Sequence, residues 1–217
     1  MIQFSNIDKK IVVQKNEPNL LTGKKILFLG SSVTYGSSSM QKSFVEYISE
    51  RNNCEYIKEA VSGTTLVDNG PDSYISRLKR IEKSNKIDLF ICQLSTNDAS
   101  LNMELGTIAD ADYQTNTICG AIQYIVSYVK DTFNCPIMYF TGSYYESEKY
   151  ASMVSTLYEI SNRMDFKVID LYTNKEFNAI SKKDYNLFMA DPIHPTKAGY
   201  YYWWTPYIEK HILEYLP

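Results

Sequence analysis

A chain of 217 residues with 44% hydrophobic and 22% charged residues has the composition of one ordinary folded domain, which excludes extensive disorder. The net charge of −3 gives no electrostatic reason to expect nucleic acid or an anionic membrane as a partner. No stretch approaches the ~20 consecutive apolar residues that span a bilayer, and the N-terminal sequence does not resemble a secretory signal. We therefore expect a cytoplasmic protein without a membrane span.

Short apolar runs alternate along the chain with longer amphipathic segments. The apolar runs have the length of strands and predict them over 25–31, 55–61, 88–95, 136–141 and 166–171. The amphipathic segments predict helices over 43–52, 74–83, 115–130, 150–163 and 195–215. Such alternation implies crossover connections, and hence about five parallel strands with helices on both faces of the sheet. The expected fold class is α/β, a three-layer α/β/α sandwich over residues 23–217.

Residues 1–22 precede this alternation, and we expect them to form an arm or an extra strand. Such an arm is a natural contact between subunits, although the sequence leaves the oligomeric state open. In open parallel sheets, ligands bind beyond the carboxyl ends of the strands. Functional residues are therefore expected in the loops after Leu29, Ala60 and Leu94, and just before the last helix.

The loop after the first strand reads Gly-Ser-Ser-Val-Thr-Tyr-Gly over residues 30–36. A small residue at the end of a strand allows a sharp turn, and the next helix directs its free N–H groups at the loop. Ser32 is thus a candidate nucleophile whose own N–H helps to bind an oxyanion. The alternative is a Ser- and Gly-rich loop that caps a helix or binds a phosphate. Both interpretations stay open on this loop alone.

A nucleophilic serine needs a base, and the chain contains only two histidines. His211 lies near the end of the last predicted helix, where it favours the negative helix terminus and is expected at the surface. His194 lies in Asp-Pro-Ile-His-Pro, directly before that helix, and Asp191 is close enough to orient its imidazole. The alternative for Asp191 is a structural role in an Asx turn.

Two further loops contain candidate oxyanion donors. Gly63 lies in the loop after the second strand and brings a flexible backbone N–H, while Asn97 follows the third strand and brings a side-chain amide. Neither loop is specific by itself. All the candidates follow strands or precede the last helix, so they can lie together in one crevice.

The four segments GSSVTYG, VSGTT, STND and DPIHP, in this order, resemble the four blocks of the SGNH hydrolases, the GDSL-like esterase/lipase family. The resemblance implies a flavodoxin-like fold, Ser32 as nucleophile, and His194 as base with Asp191 behind it. It also implies an oxyanion hole formed by Ser32, Gly63 and Asn97. The sequence departs from the family pattern at two positions, since Ser31 replaces the usual Asp and Ser95 replaces the usual Gly.

The expected function is therefore hydrolysis of small acyl esters by a serine esterase, with O-acetyl groups on carbohydrate as the favoured substrate. A lysophospholipase or thioesterase of the same family is one alternative, and a non-enzymatic module that binds phosphate or flavin is another. The partner is a small-molecule ester, and no cofactor or metal is expected, because two distant histidines and four scattered cysteines lack zinc spacing. The candidate substrate contacts are Ser31, Tyr35, Tyr144 and Tyr145.

Overall fold

Five apolar runs form one parallel sheet in the computed structural model, which describes residues 11–216. The strands are β1 (Lys25–Gly30), β2 (Glu55–Ala60), β3 (Leu89–Gln93), β4 (Ile137–Phe140) and β5 (Lys167–Ile169). Their order in the sheet is β2-β1-β3-β4-β5, and every neighbouring pair is parallel. From β1 the chain goes first to β2 on one side and then crosses to β3 on the other side, so the strand order reverses between β1 and β3. Ligands bind at this point in folds of this type.

The helices surround the sheet, and most of them begin at side-chain caps. The longer ones are α2 (Phe44–Asn52), α3 (Tyr74–Arg80), α5 (Ile118–Phe133), α6 (Glu148–Met164) and α10 (Thr205–Tyr215). The shorter ones are α1 (Ser32–Tyr35), α4 (Thr96–Ser100), α7 (Lys175–Asn178), α8 (Lys182–Phe188) and α9 (Lys197–Gly199). Ser43 and Glu46 form a capping box at the start of α2, and Thr117 accepts the Gly120 N–H at the start of α5.

Alternate residues of the strands enter two separate hydrophobic cores. Leu27 and Leu29 of β1 belong to a core with α3, α5 and α6, whereas Ile26 and Phe28 belong to a core with α2 and α10. Side chains of a strand alternate between its faces, so this division places helices on both sides of the sheet. The predicted three-layer α/β/α fold is confirmed.

Two of the predicted helices differ by three residues from their expected bounds. The helix predicted over 74–83 ends at Arg80, because Ile81 has extended backbone angles. The helix predicted over 115–130 lies at Ile118–Phe133, because the Thr117 side chain caps it and the left-handed Asn134 ends it.

The helix predicted over 195–215 is interrupted in its middle. It consists of α9, a π-helical segment (Tyr200–Trp204) and α10. Pro206 lies two residues after the end of this segment and has no N–H to donate to the preceding turn. A proline at this position favours a local change in the hydrogen-bonding pattern, as at π-bulges elsewhere.

The described part of the predicted arm contains no strand and lies along α2 and α10. Ile11 and Val13 pack on the second core, and the Gln14 N–H donates to the hydroxyl of Tyr201 at 3.2 Å. The expectation for residues 1–10 falls outside the described part of the chain. Between residues 11 and 216, no helix has both the length and the apolar character needed to cross a membrane.

Candidate active site

Ser32 begins α1 directly after a sharp turn at the end of β1. A Cβ atom at Gly30 would lie 1.9 Å from the Thr34 hydroxyl oxygen and 2.8 Å from Oε1 of Gln93, so only glycine fits there. The Gln93 Oε1 atom accepts hydrogen bonds from the Ser31 N–H at 3.0 Å and from the Thr34 N–H at 3.2 Å. The end of β3 thus fixes the backbone on both sides of Ser32, whose side chain is 7% exposed.

His194 lies in a tight loop whose two ends are bonded to each other. Its carbonyl oxygen accepts from the Ala190 N–H at 2.8 Å, and Met189 and Pro195 form an isolated antiparallel bridge. After the loop, the hydroxyl of Tyr200 donates to the carbonyl of Val33 at 2.6 Å. This last bond joins the segment that follows His194 to the helix that begins with Ser32.

Ser32, His194 and Asp191 form a continuous chain of hydrogen bonds. The Nε2 atom of His194 lies 2.8 Å from the Ser32 Oγ, and its Nδ1 atom lies 2.7 Å from the Asp191 Oδ2. A carboxylate can only accept, so Nδ1 carries the proton and Nε2 presents its lone pair to the serine hydroxyl. This is the arrangement required for His194 to take a proton from Ser32.

The Asp191 carboxylate is held in place by the backbone of its own loop. Its Oδ1 atom accepts from the N–H groups of Ile193 and His194, both at 2.8 Å. Partial burial acts to raise the pKa of Asp191, but these two N–H groups and the His194 side chain outweigh it and hold the pKa below its usual value. The Asx-type turn and the contact with the imidazole are thus both present, on the same carboxylate.

Gly63 and Asn97 are connected through Thr64. The Asn97 Nδ2 atom donates to the Thr64 carbonyl at 2.8 Å, which uses one of its two N–H bonds and leaves the other for a ligand. Gly63 has a φ of +80°, and nothing lies within 4 Å of the position of a Cβ there. The loop therefore turns in a left-handed conformation beside open space, next to the residue that orients the Asn97 amide.

Ser95, one of the two departures from the family pattern, caps α4. Its Oγ atom accepts from the N–H groups of Asn97 at 3.2 Å and Asp98 at 3.4 Å. The fully buried Asp98 carboxylate accepts from the N–H groups of Leu66 and Val67, at 2.8 and 3.0 Å. The loop after β3 thus holds the loop after β2, because a buried carboxylate needs these partners.

Two buried side chains near the site were not identified from the sequence. Gln93 organises the loop around Ser32, and the guanidinium of Arg77 bonds to the carbonyl of Gly30 and the hydroxyl of Thr64. Gln93 ends an apolar strand and Arg77 lies on a charged helix, so neither stands out from its sequence neighbours. The signal that could have found Gln93 is its place as a polar residue inside the buried run LFICQL.

The four candidate substrate contacts lie in different surroundings. Ser31 is fully buried and receives a hydrogen bond from the Gln93 Nε2 at 3.1 Å, which argues against the expected contact with substrate. Tyr35 is half-buried, and the Lys58 ammonium lies 5.9 Å from its ring centroid. Tyr145 packs on the first core and its hydroxyl is buried, whereas Tyr144 is 56% exposed.

The remaining candidate groups stay apart from this site. His211 lies on α10, where its Nδ1 atom pairs with the Tyr207 carbonyl at 2.8 Å. All four cysteines are free thiols. Among the residues that the structure describes, no three His, Cys, Asp or Glu side chains are grouped so as to hold a metal ion.

Comparison with known proteins gives a family match and several similar folds. The model of the GDSL-like Lipase/Acylhydrolase family matches residues 28–202. A crystal structure of a protein from Lactobacillus plantarum is 15% identical, with a TM-score of 0.73 over 90% of this chain and 97% of the other. Axe2, an acetylxylan esterase from Geobacillus stearothermophilus, is 16% identical, with a TM-score of 0.63 over 88% of this chain and 94% of the other.

A third similar structure is an acetyl xylan esterase, AlAXEase. It is 16% identical, with a TM-score of 0.64 over 87% of this chain and 99% of its own. At these identities the likeness concerns the fold. No functionally curated protein has a matching sequence.

Proposed function

The chain belongs to the GDSL-like lipase/acylhydrolase family, and we propose that it is a serine esterase in which Ser32 attacks small acyl esters. Membership confirms the resemblance read from the four sequence blocks and the expectation of an enzyme that hydrolyses carboxylic esters. It also argues against the alternative of a non-enzymatic module that binds phosphate or flavin at residues 30–36.

The observation that carries the proposal is the hydrogen bond of 2.8 Å between the Ser32 Oγ and the His194 Nε2. In the proposed reaction, His194 takes the Ser32 proton as the Oγ attacks the ester carbonyl, and the resulting imidazolium is stabilised by Asp191. His194 then protonates the leaving alcohol, which leaves an acyl group on Ser32. A water molecule, deprotonated by His194, hydrolyses this acyl-enzyme and restores the serine.

The oxyanion formed in both steps is assigned to three donors: the backbone N–H groups of Ser32 and Gly63, and the side-chain amide of Asn97. The support is the placement of their loops after β1, β2 and β3, neighbouring strands whose ends are about 4.8 Å apart. The second N–H of Asn97 remains for this task after the first has bonded to Thr64. Loss of one such donor costs on the order of 10²–10³ in rate.

For the substrate we propose a short acyl group, with acetyl esters of carbohydrate as the favoured class. Two of the similar folds are acetylxylan esterases. The exposed Tyr144 ring lies 5.4 Å from that of Tyr172, beyond the ends of β4 and β5, and offers an aromatic face of the kind on which sugars stack. We keep Tyr144 as a proposed substrate contact for this reason.

The test is hydrolysis of p-nitrophenyl acetate by the wild type, Ser32→Ala and Ser37→Ala. Ser37 lies in the same loop and is exposed, so its substitution is the matched control. The proposal predicts activity in the wild type and the control, and a loss of at least 10³-fold in Ser32→Ala. Equal rates in all three proteins would remove Ser32 from the mechanism.

The acyl group is tested by a series of p-nitrophenyl esters from acetate to decanoate, together with acetylated and deacetylated xylan. We expect the highest kcat/KM for acetate and release of acetic acid from the acetylated polymer. A maximum at eight carbons or more would favour the lysophospholipase alternative, and preferential cleavage of acyl thioesters would favour a thioesterase.

A further inference from the structure

Arg77 is a buried cation whose hydrogen-bond partners are backbone and hydroxyl oxygens. Its side chain lies on α3 and is 1% exposed. Its Nη1 atom donates to the Glu59 carbonyl at 2.5 Å, and its Nε atom to the Asp72 carbonyl at 3.0 Å. Among the described residues, no carboxylate lies within salt-bridge distance of it. A buried charge without an ionic partner is costly, and it persists only where well-placed hydrogen bonds compensate it.

The third nitrogen of the guanidinium joins the two loops that matter for the proposed reaction. The Nη2 atom donates to the Gly30 carbonyl at 2.8 Å and to the Thr64 hydroxyl at 3.1 Å. Gly30 ends β1 two residues before Ser32, and Thr64 directly follows Gly63. Arginine suits this position because its planar fork holds several acceptors in a fixed geometry.

Thr64 connects Arg77 to Asn97 through hydrogen bonds. Its hydroxyl accepts from Arg77 and donates to the Val61 carbonyl at 2.7 Å, while its carbonyl accepts from the Asn97 amide at 2.8 Å. The orientation of the amide is thus determined by the position of Thr64. Arg77 in turn connects Thr64 to the end of β1.

We propose that Arg77 is a positioning residue for the oxyanion hole, acting through Thr64 to align Gly63 and Asn97 with Ser32. The inference rests on the proposed function, because it assumes that these three residues bind the oxyanion.

A merely structural role for Arg77 makes a different prediction. In that case its loss lowers the melting temperature and the amount of folded protein, and the kcat of the remaining folded molecules stays the same. A positioning role lowers kcat and the affinity for a tetrahedral adduct, with KM nearly unchanged, because alignment matters most in the transition state.

The experiment compares Arg77→Lys, Arg77→Met and Thr64→Val with Arg80→Met and Thr65→Val as matched controls. Arg80 lies one turn further along α3 and its side chain is 55% exposed. The Thr65 hydroxyl bonds to the Val67 carbonyl and Asn69, away from Arg77. Each protein is measured for kcat and KM with p-nitrophenyl acetate, for its melting temperature, and for inhibition by phenylboronic acid, which forms a tetrahedral adduct with nucleophilic serines.

Thr64→Val is the decisive variant, because it removes one hydroxyl at a half-buried position and leaves the rest of the loop intact. We expect its kcat to fall about 10- to 100-fold, as for a small misplacement of a catalytic group, with KM within twofold and boronic acid binding weakened in parallel. Arg77→Met should lose at least as much, and Arg77→Lys should recover part of it. Both controls should keep the wild-type kcat.

A wild type whose activity depends on Ser32, together with an unchanged kcat in Thr64→Val and Arg77→Lys, would overturn this inference alone. A kcat that falls only in proportion to the fraction of folded protein would overturn it as well. A wild type without Ser32-dependent activity would overturn the proposed function and this inference together.

Discussion

The side chain of Gln93 bonds to Ser31 in both directions: its Oε1 atom accepts from the Ser31 N–H at 3.0 Å, and its Nε2 atom donates to the Ser31 hydroxyl at 3.1 Å. The same Oε1 atom also accepts from the N–H and hydroxyl of Thr34. Gln93 is 1% exposed, so water does not replace its hydrogen bonds to Ser31 and Thr34 when the side chain is removed. The turn that presents Ser32 therefore depends on a side chain from the neighbouring strand.

Gln93→Leu should lower both stability and activity. It leaves the N–H groups of Ser31 and Thr34 buried without a partner, at a cost of about 2–4 kcal/mol in the free energy of unfolding, and it releases the Ser32 turn. We expect kcat to fall at least tenfold in protein that is still folded. Urea unfolding and esterase kinetics measure the two effects.

Gln123→Leu is the control for this variant. Gln123 is 2% exposed on α5 and bonds to the N–H and the carbonyl of Ala109, so its loss destabilises the fold by a similar mechanism. Its kcat should stay at the wild-type value. A comparable fall in kcat for both variants would show that Gln93 acts on activity only through general stability.

Asp191→Asn should reduce kcat by on the order of 10²–10⁴ while the fold persists. An amide oxygen can still accept from the N–H groups of Ile193 and His194, but the amide nitrogen would face the protonated Nδ1 of His194 and favour the wrong tautomer. Asp184→Asn, on the exposed helix α8, is the control for a loss of charge. Retained kcat in Asp191→Asn would assign the carboxylate to the Asx turn alone.

Glu209→Ala should destabilise the protein by about 3 kcal/mol without lowering the kcat of folded molecules. The Glu209 side chain is 7% exposed and accepts from Arg51, Asn16 and Asn52, which ties the N-terminal segment to α2 and α10. Its removal leaves the Arg51 cation partly buried without its partner. Urea titration should show the loss.

Glu214→Ala is the matched control on the same helix. Glu214 pairs with Lys210 at 3.8 Å, and both side chains are about half or more exposed, at 49% and 68%. An exposed pair contributes little, so the change should stay within about 0.5 kcal/mol. Equal destabilisation by the two variants would contradict the buried network described for Glu209.

The thiols should react slowly at pH 8 in the folded protein. Burial raises the pKa of Cys54 and Cys135 from 9.0 to about 11, and it also raises the pKa of Cys92 and Cys119. The thiolate is the form of cysteine that attacks Ellman's reagent, so labelling should accelerate as the pH rises towards 11 and should be rapid for all four thiols in denaturant. Rapid labelling of the native protein at pH 8 would contradict this.

These raised thiol pKa values also determine a trend in stability. Cys54 and Cys135 lose their protons near pH 9 in the unfolded chain and only near pH 11 in the folded chain, so the unfolded state binds fewer protons between these values. The free energy of unfolding should therefore fall as the pH rises from about 9 to 11.

Much of the fold could be predicted because the signals for it are local. Runs such as LFICQ carry enough apolar residues to mark buried strands, and the spacing of Ile118, Ile122 and Ile125 marks one helix face. Helix ends depended on single side chains, as at Thr117. The short helices α7 and α8 lie in a polar segment, where no long periodic pattern identifies them.

Some residues of the candidate site could be predicted from the sequence and others could not, for a physical reason. Ser32, His194 and Asp191 belong to residue types that carry acyl-transfer chemistry, and they lie at strand or helix ends. Gln93 and Arg77 act by contacts between elements that are distant in sequence, as in the bond from Arg77 to Gly30 across 47 positions. Such partners depend on strand order and side-chain direction, which a single sequence does not specify.

The most direct test of Ser32 as nucleophile is to label it covalently. The wild type, Ser32→Ala and Ser37→Ala are treated with a fluorophosphonate, digested, and analysed by tandem mass spectrometry. We expect one phosphonyl group per molecule in the wild type and Ser37→Ala, located on Ser32, and none in Ser32→Ala. A label on another residue, or equal labelling of Ser32→Ala, would contradict it.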